Sequence, residues 1–157
     1  METKQKLVTA AGGNGTAIEI VKKSLSRAEY VSRGDDLLDE FESLGAEQAG
    51  FLVLDEKHFE MAGGEFCGNA TRSAAVLLHL EHSEDKMSFT VSGFDGIVNA
   101  SVKPLTSTTF FVEAEFPGMK VDTKHITLED GTPASIVDLG GIVHVVIVTS
   151  TALSTAM

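Results

Sequence analysis

Met61-Ala62-Gly63-Gly64-Glu65-Phe66-Cys67-Gly68-Asn69-Ala70-Thr71-Arg72-Ser73-Ala74-Ala75 runs directly into Val76-Leu77-Leu78-His79-Leu80. From Ala70 to Leu80 the stretch is apolar nearly all the way round a helical wheel, and Arg72 is its one charge. A helix without a polar face has to be enclosed. The rest of the chain reads mostly as strand, so the enclosure is expected to be a curved sheet wrapped around this helix.

Working outward, Lys6 to Ala10 and Thr16 to Val21 flank Gly12-Gly13-Asn14-Gly15, the pattern of a hairpin. Leu37, Leu38, Phe41 and Leu44 have amphipathic helical spacing, with Asp35 or Asp36 as the start and Gly45 as the end. Asp39, Glu40 and Glu42 would share its solvated face with the two aspartates. Phe51 to Leu54 and Phe59 to Met61 are short strands, followed beyond the apolar helix by Lys86 to Val91, Ile97 to Val102 and Thr108 to Phe116. Ser92-Gly93 and Asp95-Gly96 punctuate the first pair, and Pro104 to Ser107 separates the second. His125 to Leu128, Ser135 to Leu139 and Val143 to Val148 are three more strands. The expected class is α+β, a mainly antiparallel sheet with two helices.

At 157 residues the chain is about one domain by the usual ratio of roughly 150 residues each, and needs no disulfide or metal to hold a core. Its 43% hydrophobic and 22% charged residues are those of an ordinary globular protein. A net charge of −11 repels phosphate backbones and anionic lipid, so no nucleic-acid or membrane partner is expected. Neither a signal peptide nor an apolar run long enough to span a bilayer is present, and a cytoplasmic location is the simplest expectation. Pro117-Gly118 marks a break. The first lobe is expected over residues 1–117, and residues 118–157 are too few for a second domain with its own core. They read as the start of an incomplete second lobe.

One thiol, Cys67, immediately precedes the enclosed helix. Gly63, Gly64 and Gly68 allow tight turns and close approach of a ligand. First-turn amides from about Gly68 to Thr71 have no intrahelical partner and can bind a carboxylate. The positive helix end favours a thiolate by up to ~2 kcal/mol. A lone cysteine beside an apolar helix is ordinarily a small buried hydrophobe. Packing alone, however, does not call for glycines on both sides of it.

Cys67-Gly68-Asn69-Ala70-Thr71-Arg72 resembles the Cys-Gly-Asn-x-x-Arg signature of the N-terminal lobe of the diaminopimelate epimerase-like superfamily, and Gly13-Asn14 resembles that family's early Gly-Asn turn. The run from Gly64 to Thr71, with Val91-Ser92-Gly93, is most similar to the histidine racemases of opine-metallophore pathways. The resemblance implies a lobe in which a curved, mainly antiparallel sheet or barrel surrounds a central apolar helix. It also implies a cofactor-independent amino-acid racemase or epimerase with two such lobes and the substrate between them. Carried over residue by residue, Cys67 is one of two proton-transfer groups, Gly68 and Asn69 bind the substrate carboxylate, and Asn14 contacts the substrate. Arg72 is then a supporting residue, and Glu65 is undecided.

This chain departs from that pattern in having no second cysteine. The implied partner is a missing C-terminal lobe or a second copy of the chain, and the chain alone is expected to be inactive. The family's Gly-Asn-Pro-His stretch reads Gly141-Ile142-Val143-His144 here, which argues against diaminopimelate and toward histidine or another amino acid. Three other readings remain: a diaminopimelate epimerase, a phenazine-type or aconitate-type isomerase using Glu65, and an inactive half-domain serving as an interaction module. No metal is expected, because His79 and His82 lack a third fixed ligand. His58 and His125 read as surface or strand-edge residues, and His144 as a satisfied core histidine.

Overall fold

The computed structural model describes residues 4–151. Residues 152–157, the end of the stretch 118–157 read as an incomplete second lobe, lie outside the described residues, as do residues 1–3. The described chain divides after Gly118 into two compact units.

In the first unit, seven strands form one sheet in chain order: β1 (Lys4–Ala10), β2 (Asn14–Val21), β3 (Ala46–Val53), β4 (His58–Met61), β5 (Lys86–Val91), β6 (Phe94–Pro104) and β7 (Phe110–Glu115). The pairing is antiparallel except for β2–β3 and β4–β5, which are parallel. Each parallel step needs a crossover, and helices α1 (Arg27–Phe41) and α2 (Gly68–His82) supply them. The sheet curls into a half-barrel around α2, which packs against β1, β2, β4, β5, β6 and β7. Ala70, Thr71 and Ser73 to Leu78 of α2 are buried, while Arg72 is exposed. The α+β class and the enclosed apolar helix stand as the sequence implied.

Helix α1 covers the outer face of β2 and β3. Ala17, Tyr30, Leu37, Ala46, Ala49 and Phe51 form the core there, with Tyr30 and Phe51 ring centroids 5.1 Å apart. Strands β2 and β3 are thus covered on both faces, whereas β5 alternates exposed and buried residues.

Several sequence expectations are corrected. Helix α1 begins at Arg27, not at Asp35 or Asp36, because Ser26 and Glu29 form a capping box. The aspartates fall in its solvated middle, and a short 3-10 turn then leads to Gly45 at φ 98°. Asn14 and Gly15 lie in β2 rather than in the hairpin turn. Asp95-Gly96 lies in β6, since the two-residue turn Ser92-Gly93 alone links β5 to β6.

The second unit holds β8 (Asp122–Thr127), β9 (Pro133–Asp138) and β10 (Val143–Val146), an antiparallel sheet in the order β10–β9–β8. Val143, Val145 and Val146 are exposed. His144 is exposed as well, not a core residue, because nothing among the described residues covers β10. Ile142 lies in the turn before β10.

Candidate functional site

The inner face of the half-barrel places the site. Parallel pairing of β2 with β3 shifts register between Gly15 and Thr16, so that Gly15 lies opposite Ala46 and Thr16 opposite Gln48. Glu47 is the extra residue of this bulge. Asn14 and Thr16 therefore meet Glu47 and Gln48 across the strand pair. Asn14 Nδ2 donates to Glu47 Oε2 at 2.8 Å. Gln48 Nε2 lies 3.0 Å from Asn14 Oδ1, 2.8 Å from Thr16 Oγ1 and 3.3 Å from Cys67 Sγ.

Hydrogen-bond logic orients this cluster. The Glu47 carboxylate only accepts, so it takes the Asn14 amide NH2 and leaves Asn14 Oδ1 facing Gln48. That oxygen in turn requires the Gln48 NH2. A primary amide has two hydrogens for the three acceptors around it, and the two oxygens are closer than the sulfur. The thiol can instead donate to Gln48 Oε1, 3.5 Å away. Gln48 Oε1 thus accepts from a thiol, and a thiolate gains a Gln48 hydrogen only when one turns away from an oxygen acceptor.

Cys67 is the N-cap of α2, with extended backbone at φ −143° and ψ 114°. Its sulfur accepts from the Ala70 amide at 3.4 Å, a place usually filled by a serine or aspartate oxygen. Its carbonyl accepts from the Thr71 amide at 2.9 Å and from the Thr71 hydroxyl at 2.8 Å. The amides of Gly68 and Asn69 have no partner among the described residues. Gly68 and Asn69 are themselves only half-buried, and nothing lies within 4 Å of the place a Cβ would take on Gly68. The first turn of α2 can therefore accept a carboxylate beside the thiol.

Asn69 Oδ1 accepts from the Arg72 guanidinium one turn on, which points the Asn69 NH2 away from Arg72. Glu65 is not part of this group. Its carboxylate folds back over Gly63, and no hydrogen bond among the described residues joins it to Cys67, Asn14 or Gln48. The structure thus gathers Asn14, Cys67, Gly68 and Asn69, sets Arg72 beside Asn69, and leaves Glu65 aside. Gln48 was missed in the sequence, although the pairing that carries it spans thirty-odd residues and no local motif marks it.

Two hollows of about 940 and 930 Å³ lie elsewhere. One runs along β5, β6 and β7, and the other lies between β1, α2 and β7. Neither is lined by Cys67, Asn14 or Gln48, although Arg72 lines both; the thiol cluster is half-buried, with Cys67 partly exposed.

Arg27 at the start of α1 pairs with Glu60 on β4 and donates to the carbonyls of Met61 and Ala62 at 3.3 and 2.9 Å. His58 Nε2 meets the other Glu60 oxygen at 2.7 Å, and His58 Nδ1 meets the Thr90 hydroxyl at 2.7 Å. His58 is therefore a half-buried residue at the start of β4. Burial opposes ionisation of Glu60, but the His58 and Arg27 hydrogen bonds and the Arg27 charge outweigh it and hold the carboxyl below its ordinary value. His125 is exposed and bonded to Ser135 Oγ at 2.9 Å. His79 Nδ1 meets the Glu84 carbonyl at 2.9 Å. No group of three or more metal-ligating side chains comes together among the described residues.

Comparison with known proteins places the chain in a family. The model of the histidine racemase CntK N-terminal domain matches residues 13–156. The chain belongs to the histidine racemase N-terminal domain family. A histidine racemase of Fusobacterium nucleatum subsp. nucleatum (strain ATCC 23726 / VPI 4351) is 48% identical over 65 residues, 39% of this chain and 24% of that protein. A second, from strain ATCC 25586, is 40% identical over the same length and coverage. The matched region is about a quarter of these curated relatives' length. A solved Pseudomonas aeruginosa structure described as a predicted epimerase shares the fold at TM-score 0.54 and 18% identity, over 84% of this chain and 52% of that one. The family placement agrees with the superfamily resemblance carried by the cysteine motif. No helix among the described residues is long and apolar enough to cross a membrane.

Proposed function

We propose that this chain is the cysteine-bearing N-terminal half of an amino-acid racemase, acting on histidine without a cofactor. One observation carries the reading: the Cys67 sulfur stands at the N-cap of α2, beside the unpartnered amides of Gly68 and Asn69 and within reach of Gln48. Family membership supports it.

In this reading the substrate carboxylate binds the Gly68 and Asn69 amides and the Asn69 side-chain NH2 that Arg72 orients. The Cys67 thiolate takes the Cα proton. The C–H bond breaks, an S–H bond forms, and the electron pair spreads from Cα into the carboxylate, where the helix amides stabilise the added charge. Gln48 turns an amide hydrogen from Asn14 Oδ1 to the thiolate before transfer and accepts from the thiol after it. Asn14 completes the polar wall. Inversion needs a second acid on the opposite face. This chain has one cysteine, so that group comes from another segment or chain, and the chain by itself is inactive as a racemase.

The test is deuterium exchange into Cα of L-histidine in deuterated water, followed by mass spectrometry, with the protein carrying its second-face partner. Exchange is expected, and Cys67→Ser should lower it by ~100-fold or more. Absence of exchange with histidine and with other amino acids refutes the reading.

A further inference from the structure

The loop from Ala62 to Phe66 delivers Cys67 to the N-cap, and a buried side chain from another part of the sheet spans it. Ser92, in the β5–β6 turn, is 7% exposed. Its hydroxyl accepts from the Met61 amide at 2.9 Å and donates to the Glu65 carbonyl at 2.8 Å. One oxygen thus ties both ends of the loop and uses both of its hydrogen-bonding senses. The Ser92 amide is itself anchored to the Phe59 carbonyl at 2.9 Å.

The next residue presses on the same place. Gly93 adopts φ 72°, and a Cβ there would collide with the backbone of Phe66. The Phe66 ring stacks edge-on against Phe116, 5.1 Å between centroids, and Phe94 stacks on the same ring at 5.8 Å. The Glu65–Phe66 peptide, one removed from Cys67, is therefore held at its carbonyl by Ser92 and crowded at its nitrogen by Gly93, while the Phe66 ring is packed on Phe116. Arg27 holds the loop's opening at the Met61 and Ala62 carbonyls.

We propose that Ser92 is a positioning residue for Cys67, its bridging hydroxyl setting the path of the loop and hence the aim of the sulfur at the start of α2. The proposal rests on reading Cys67 as the proton-transfer group. Without the hydroxyl, the Glu65 carbonyl is released, the Glu65–Phe66 peptide can turn, and Phe66 passes that freedom on to Cys67. A misplacement of about 1 Å at a reacting atom costs ~100-fold in rate. Substrate carboxylate binding uses the amides of α2, which Ser92 does not touch. The loss therefore falls on kcat rather than KM.

The experiment compares Ser92→Ala with Ser92→Thr, which restores a hydroxyl. Its readouts are Cα exchange of L-histidine, the rate of Cys67 alkylation by iodoacetamide from pH 6 to 9, and the melting temperature. Ser92→Ala is expected to lower kcat by ~10- to 100-fold with KM within about threefold, and to alter the alkylation profile. Ser92→Thr should recover most of both. Unchanged exchange and alkylation in Ser92→Ala overturn the proposal. So does loss of activity in both variants in step with melting temperature, which is the signature of a merely structural residue. If Ser92→Ala does not fold, Ser92→Cys keeps the shape while weakening both bonds, with the same direction expected. If the unaltered protein exchanges no amino acid, the racemase reading fails, and the alkylation profiles alone decide whether Ser92 aims the thiol.

Discussion

Replacing Gln48 with leucine removes the partner of a hydroxyl that has no access to water. Thr16 is 0% exposed, and its Oγ1 accepts from Gln48 Nε2 at 2.8 Å. Leaving a buried polar group unpaired costs ~1–3 kcal/mol. The other two contacts, to Asn14 and Cys67, are half-buried, and water replaces much of what they lose. A net loss of about 2 kcal/mol follows, which at ~4 °C per kcal/mol lowers the melting temperature by about 8 °C. Urea denaturation followed by circular dichroism measures the first quantity and calorimetry the second. The informative control is Thr16→Val in the Gln48→Leu background. Removing both partners of a hydrogen bond costs less than stranding one of them, so the double variant should be more stable than Gln48→Leu alone. If Gln48→Leu lies within about 0.5 kcal/mol of the parent, or if the two costs simply add, the Thr16–Gln48 bond does not bear on stability as argued. The same variant should slow histidine exchange, since the sulfur loses a neighbour that serves both of its protonation states.

Two further predictions follow from the polar contacts around α1. Glu60→Gln should cost about 1–3 kcal/mol at pH 7, toward the low end because Arg27 is half exposed. The folded carboxyl holds its proton less tightly than the unfolded one, so this stability is fully present above the ordinary carboxylate value of 4.5 and is lost as pH falls through the lower folded value. The gap between parent and variant should close on acidification, and a gap unchanged down to pH 3 would contradict the assignment. Ser26→Ala removes the capping box of α1 and should cost about 1 kcal/mol by urea denaturation, with Ser26→Asp retaining most of it.

Much of the fold was legible because it rests on local pattern. The Ala70–Leu80 stretch has no polar face, and that alone demanded a surrounding sheet. Lys86 to Val91 alternates in period two, and it is β5 to the residue. Where expectation and structure part, the reason is also local. Leu37 and Phe41 carry the apolar stripe of α1, but its first turns hold Arg27, Glu29 and Arg33, whose partners are Glu60, Ser26 and Glu19. The core-facing positions there are Tyr30 and Gly34, and Gly34 has no side chain to extend the apolar stripe back from Leu37, so a reading by apolar period starts the helix too late. His144 looked internal because its neighbours are valines, yet burial depends on what covers a strand, and sequence pattern does not record that.

For the site, the sequence by itself determined the thiol, the glycines around it and the helix that follows, because a cap and its first turn are contiguous in the chain and their chemistry travels with them. Only the tertiary structure decided which side chains face that sulfur. Gln48 arrives through a bulged parallel pairing with Thr16, and Ser92 reaches the loop ahead of the thiol, rather than the sulfur itself, from the β5–β6 turn. Strand register and sheet curvature set those contacts, and both arise from the balance of pairing and packing over the whole unit rather than from any short run of residues.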